Sequence, residues 1–211
     1  MGIPVLIIGK SGSGKTASLQ SFGPGEISIV NVLGKPLPFR CRLKTCDTDD
    51  YGKIRRLLAN GVADSVCIDD AGYLLTNMFM REHASYGTGS AIFALYNKIG
   101  DSFWGLVESI KAMPKNKIVY LTMHEDKSDF GDVKPKTIGK LLDDKVCLEG
   151  MFTIVLRAVK EEGRHLFLTK ARGYDVTKSP IGMFGTEAIE NDLKAVDDAI
   201  RAYYGIERGK A

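Results

Sequence analysis

Gly9-Lys10-Ser11-Gly12-Ser13-Gly14-Lys15-Thr16 is the stretch whose reading decides the fold. It fits GxxxxGK[ST], the pattern of a phosphate-binding loop, and its flanks suit that chemistry. Residues 3–8 (IPVLII) are a short continuous apolar run, which predicts a strand buried on both faces. Residues 16–22 are expected to open a helix that Gly23-Pro24-Gly25 closes. Between the two, glycines let the backbone curl so that N–H groups converge on an anion, and a helix N-terminus adds partial positive charge. Lys15 is placed to reach the β- and γ-phosphates, and the Thr16 hydroxyl is placed to ligate Mg²⁺. Gly9 through Thr16, with Ala17 behind them, are the candidate nucleotide contacts.

A second stretch answers the first. Ser65-Val66-Cys67-Ile68-Asp69-Asp70 is an apolar strand ending in an acidic pair, a Walker B pattern when it follows a phosphate loop. Asp69 is the expected Mg²⁺ partner, and Asp70 is placed to polarise the attacking water. The plainer reading is that both aspartates only cap the next helix. Further on, residues 117–123 (KIVYLTM) predict a buried strand that delivers His124 to its C-terminal end. Ligands sit at that edge of open α/β sheets, so His124 is a candidate γ-phosphate sensor. The polar stretch 127–145 follows without clear periodicity and is expected to be a long functional loop. Its Lys127, Lys134, Lys136 and Lys140 are candidate DNA contacts, with a nucleotide lid as the competing role.

The rest of the chain predicts an α/β fold with a mostly parallel central sheet. Residues 26–32 read as a strand, 39–46 as a short edge strand and 51–59 as a helix capped by the aspartates before it and closed by Asn60-Gly61. Residues 74–86 are amphipathic and end at Gly87-Thr88-Gly89-Ser90. Apolar residues from Ile92 to Ile110 then recur at helical spacing, with Trp104 off the stripe. Residues 151–159 and 164–170 alternate as a hairpin, and 186–204 carry the stripe of a last helix. At 211 residues and 44% hydrophobic content, one domain with a sizeable core is expected. No stretch is long and apolar enough for a membrane span or a secretory leader, so a cytoplasmic protein is expected. The four cysteines show no CxxC pair and are expected to be free thiols. A net charge of +3 does not by itself argue for nucleic acid.

Two other nucleotide machines compete on motifs. Asp69-Asp70-Ala71-Gly72 fits DxxG and Asn97-Lys98-Ile99-Gly100-Asp101 resembles NKxD, as in a small GTPase, but the aspartate is one residue late and the motif lies inside a helix. A nucleotide or small-molecule kinase needs an arginine-rich lid, and the 127–145 loop holds no arginine.

Longer matches point elsewhere. GKSGSGKT (9–16), NVLGKPLPF (31–39), IDDAGYL (68–74), MHED (123–126), KTIGKLLDDK (136–145), LEGMFTIVL (148–156) and KSPIGMF (178–184) resemble a family of phage and prophage ATP-binding proteins. These are RecA-like, AAA-domain proteins grouped with the single-strand-annealing (Sak-type) recombinases, and the resemblance runs over nearly the whole chain. It implies a RecA-like core, ATP and Mg²⁺ as cofactors, ATP hydrolysis, and assembly on single-stranded DNA during phage recombination or replication in the bacterial host cytoplasm. It also implies a homo-oligomer, filament or ring, with a phage single-strand-binding protein as a further partner. Within that comparison His124 falls at the γ-phosphate sensor, and residues 72–90 and 127–145 fall at DNA-facing loops. Lys170 and Arg172, two apart at the end of the hairpin, fall at cations that reach the neighbour's ATP. RecA-type proteins carry their catalytic glutamate after the second strand, where this chain has Asn31. Asp70 is then the expected base, and slow turnover is expected. With a strand starting at Ile3, no RecA-like N-terminal polymerisation segment is expected, which favours a ring or transient assembly as much as a filament.

Overall fold

The structure, a computed structural model, describes residues 1–60, 63–87, 89–138 and 146–209. Strands β1 (Ile3–Gly9), β2 (Ile27–Asn31) and β3 (Lys44–Asp47) precede helix α1 (Tyr51–Ala59). β4 (Ser65–Asp69) leads into α2 (Gly72–Tyr86) and α3 (Ala91–Lys111). β5 (Ile118–Lys127) and β6 (Val133–Pro135) follow, then β7 (Ile154–Glu161) and β8 (Arg164–Leu168). The short β9 (Ala188–Glu190) and helix α4 (Leu193–Tyr204) come last.

Among the described residues these strands form one sheet in the order β3-β2-β4-β5-β1-β7-β8-β9, with β6 paired to β5 beside it. The six strands from β3 to β7 run parallel, and β8 and β9 add antiparallel edges. The fold is therefore α/β with a mostly parallel central sheet.

Because strand side chains alternate, β1 feeds two cores. Leu6 and Ile8 pack with α1, α2 and α3, whereas Val5 and Ile7 pack with Leu19, Phe22 and the apolar face of α4. Helices on both faces explain why β1 reads as an unbroken apolar run rather than an alternating one. Cys67 is a buried member of the second core, and all four cysteines are unpaired. Among the described residues no helix is long and apolar enough to cross a membrane.

Several expectations need correcting. After the phosphate loop there is only a 3-10 turn, Ala17–Ser21. Ser18 Oγ donates to the Lys15 carbonyl at 2.6 Å, Phe22 is pulled into the core, and Gly23-Pro24 stops any continuation. The edge strand β3 begins at Lys44, so Arg40 and Arg42 lie in the loop before it. The last helix starts at Leu193 because Asp192 caps it, accepting from the N–H groups of Lys194 and Ala195. Ile189 fits a period of two as well as one of 3.6, and residues 188–190 pair with β8 instead.

The stretch after residue 127 is not an irregular loop as far as it is described. β5 runs on to Lys127 and folds back through β6 as an antiparallel ribbon, Glu125↔Pro135 to Lys127↔Val133. Lys170 and Arg172 are not on a strand, since β8 ends at Leu168. Thr169 turns the chain by bonding to the Thr186 and Glu187 carbonyls, and Asp175 then accepts from the Arg172 N–H. Gly61, Thr88, Lys140 and the 139–145 part of the expected loop lie outside the described residues.

Candidate nucleotide site

Strand register brings the candidate residues to one edge. Gly9 is the last residue of β1 and pairs with His124 on β5 and Ala158 on β7. Asn31 on β2 pairs with Asp69 on β4. The phosphate loop therefore sits at the C-terminal edge of the sheet, flanked by β5 on one side and β7 on the other.

The loop is tightly curled, with Gly12 at φ 75° and Gly14 at φ 98°. At Gly14 the φ of 98° strains any other residue, and a Cβ would press on Asn191 Oδ1 at 2.8 Å and His165 Nδ1 at 3.0 Å. His165 Nδ1 lies 3.0 Å from the Ser13 carbonyl, so the antiparallel hairpin braces the loop from outside. Lys15 is buried and donates to the carbonyls of Gly9 (2.8 Å) and Lys10 (2.9 Å). Burial lowers its pKa below the ordinary lysine value, and the charges of Asp70 and Asp69 oppose that shift.

Beneath the loop, Thr16 Oγ1 donates to Asp69, with both carboxylate oxygens within 3.1 Å. Thr122 Oγ1 donates to Asp69 Oδ1 at 2.8 Å. Burial raises the Asp69 pKa, these two hydroxyls pull it down, the charge of Asp70 pushes it up again, and the net shift is upward. A buried carboxylate beside the Thr16 hydroxyl, which can turn from Asp69 to a cation, offers hard oxygen donors. Mg²⁺ takes one or two carboxylates and completes its octahedron with water and substrate phosphates, so this pair fits it without a protein cage. A divalent cation would also reverse the electrostatic strain on Asp69.

Asp70 leaves the strand at φ 57°, a left-handed conformation that aspartate tolerates better than most residues. Its N–H is held by Thr122 Oγ1 at 2.8 Å, so one threonine fixes both aspartates. Its carboxylate pairs with Lys35 at 2.6 Å and lies 3.9 Å from His124 Nε2. Burial, then the nearby Lys15, holds the His124 pKa below the ordinary histidine value despite Asp70. The imidazole is therefore neutral at neutral pH, and Tyr73 meets it edge-on with ring centroids 5.9 Å apart.

A cleft of about 550 Å³ opens beside the loop, between Lys10 and Ser11 on one wall and Tyr73, His124, Lys136 and Ile138 on the others. Lys136 is held there because its N–H donates to the His124 carbonyl at 2.8 Å. Of the candidate DNA lysines, then, Lys136 belongs to the cleft wall. Lys127 is exposed at the end of β5, and Lys134 is half-buried in β6. On the other side of the loop a cavity of about 400 Å³ is lined by Arg157, Glu161 and Arg172. Arg157 grips Glu125 through two bonds of 2.8 and 3.0 Å, and Arg172 pairs with Glu161 at 2.8 Å. Lys170 is exposed.

Three residues enter the site that had no role expected from the sequence: Thr122, Lys35 and Arg157. Thr122 had a signal, being a hydroxyl residue within the buried run 118–123. Lys35 and Arg157 had none, because their partners are distant in sequence. The GTPase-like Asn97 and Lys98 are exposed on α3, where Lys98 pairs with Glu82 at 2.7 Å. A scan against protein-family models finds no match for this chain, and a search of curated proteins finds none either.

Proposed function

We propose that this chain is a Mg²⁺-dependent ATP-binding protein of RecA-like type that hydrolyses ATP slowly and acts on single-stranded DNA as a homo-oligomer. The observation that carries the nucleotide part is the cluster of half-buried Thr16 with buried Asp69 and Thr122, next to Lys15. It supplies metal-binding oxygens where a phosphate loop needs them. The interposed β5 adds His124 to the same edge, as a RecA-like γ-phosphate sensor requires.

In this reading Lys15 exchanges its two carbonyl partners for phosphate oxygens. Thr16 and Asp69 would hold Mg²⁺, which would supply positive charge to the bound phosphates. Asp70 orients a water and takes its proton as the water oxygen bonds to the γ-phosphorus and the bridge to the β-phosphate breaks. Neutral His124 donates a hydrogen bond to the γ-phosphoryl group. The DNA and assembly parts rest on the resemblance, with exposed Lys170 and Arg172 directed to a neighbour's nucleotide.

Calorimetric titration tests the nucleotide part. Lys15→Ala should weaken Mg·ATP binding by about 10- to 100-fold, the worth of a charge-assisted contact to phosphate. Asp69→Ala should lose chiefly the Mg²⁺-dependent share of the affinity. Equal affinity for GTP and ATP would favour the GTPase reading instead.

For DNA, about three lysine–phosphate contacts per subunit give a single-strand salt slope near −2. Replacing Lys134, Lys136 and Lys140 by Ala should flatten that slope in the presence of an ATP analogue. A variant that loses ATP affinity but keeps the slope makes the β5–β6 region a nucleotide lid.

A further inference from the structure

Lys35 belongs to none of the nucleotide motifs, yet it reaches the centre of the site. Its side chain is 60% exposed while its ammonium lies 2.6 Å from a carboxylate that is 8% exposed. An exposed lysine rarely keeps one partner, because side-chain entropy and solvent screening bring most such pairs near zero. Here the backbones on both sides are fixed.

Asn31, buried at the end of β2, donates through Nδ2 to the Lys35 carbonyl at 2.7 Å. Gly34 takes φ 63°, which turns the chain back, and Pro36 restricts the backbone of Lys35 before it. Facing it, Asp70 is locked at φ 57° by the Thr122 hydroxyl. The loop after β2 therefore delivers a cation to Asp70 as a built feature.

The same cation is within electrostatic reach of the phosphate-binding groups. Its charge acts on both Lys15 and His124. Without nucleotide, Lys15 and Lys35 balance Asp69 and Asp70. A magnesium-bound triphosphate brings further negative charge to this point, and its γ-phosphoryl oxygens outweigh one carboxylate as partners for Lys35. While Lys35 occupies it, the Asp70 carboxylate spends an oxygen on the ammonium rather than on a water.

We propose that Lys35 switches partner: it masks Asp70 until a γ-phosphate draws it away, and its departure frees the carboxylate to act on water. The inference rests on the assignment of the loop as an ATP site. Lys35 is then a γ-phosphate contact supplied by the same chain. ADP, lacking that phosphate, leaves it on Asp70.

The test is titration of wild type, Lys35→Met and Lys35→Arg with ADP and with a non-hydrolysable ATP analogue, all with Mg²⁺. Lys35→Met should lower affinity for the ATP analogue relative to ADP by about tenfold or more, while Lys35→Arg keeps the ratio. Asp70→Asn should tighten the ATP analogue more in the wild-type background than in Lys35→Met, because only there does it release a lysine. Equal changes for both nucleotides, or none, overturn the proposal and make the contact a structural ion pair. A wild-type chain that binds neither nucleotide overturns the site assignment itself.

Discussion

Asp70→Asn should lower the rate of ATP hydrolysis at least about 10²-fold while leaving ATP affinity within a few-fold of wild type, on the tighter side. The substitution keeps shape and removes only the proton-accepting charge. Asparagine also tolerates the φ of 57° found here, and Thr122 holds the backbone N–H of this residue rather than its side chain. The loop after β4 is therefore expected to keep its course. Single-turnover phosphate release alongside equilibrium binding separates the two effects. Unchanged turnover would remove Asp70 from the chemistry. Glu125 is a weak substitute, because Arg157 holds it through two hydrogen bonds and its side chain is 3% exposed. Asp47, exposed at the end of β3, would be the next acid to test.

The largest effect on stability is expected from Asp197→Ala, at the opposite edge of the sheet. Asp197 is fully buried on α4 and accepts from Ser65 Oγ, from Tyr120 OH at 2.8 Å, and from Arg201 and Arg208 at 2.7 Å each. Arg201, also buried, donates further to Ser65 Oγ and to the Asn116 carbonyl. Removing the carboxylate strands a buried guanidinium, which costs about 3–5 kcal/mol. That is a large share of the stability of an ordinary domain.

Burial works to raise the Asp197 pKa, but the hydrogen bonds from Ser65 and Arg208 and the charge of Arg201 prevail and hold it below the ordinary carboxylate value. A depressed native pKa means the contribution is present above the unfolded value, near pH 4, and is lost as the pH falls through the native one. Denaturant unfolding at pH 7 should show the full loss, and the gap between variant and wild type should narrow below about pH 4. ATP affinity of the folded variant should not change, since Ser65 and Asp69 stand at opposite ends of β4, roughly 13 Å apart. A loss under about 1 kcal/mol would mean the network only breaks even against desolvation.

Much of the scaffold was legible because its signals are local. The α1 boundaries followed from an N-cap at Asp50 and the turn residues after Ala59. The parallel strands followed from unbroken apolar runs, and the β7–β8 hairpin from alternation around Glu162-Gly163, both at positive φ. Where two periods fit one segment, sequence chose wrongly: Ile189 serves a strand although it also completes the α4 stripe. Polar segments were harder. Residues 127–138 lack periodicity, yet their backbone pairs into a ribbon because β5 continues past the sheet and offers it an open edge. The site shows the same division. Lys15, Thr16, Asp69, Asp70 and His124 announce themselves by spacing to neighbours in the chain. Lys35 on Asp70 and Arg157 on Glu125 depend on strand order, which no local pattern encodes.

The central place of β1 has a consequence for the protein's synthesis. Its partners arrive late, since Ile3 pairs with Ile118 and Val5 with Ile154. At about 5–20 residues per second, the ribosome leaves IPVLIIG without its first partner, β5, for roughly 6–24 s, and without β7 for roughly 8–30 s. During that interval the uncharged, β-prone residues 5–9, which follow Pro4, are exposed to other nascent chains, the circumstance that favours aggregation. On the proposed function, a nucleotide would come too late to help, because residues 9–16 have neither Asp69 nor His124 beside them until β4 and β5 are in place. Yield of folded protein should therefore depend on chaperone supply and translation speed more than on ATP concentration.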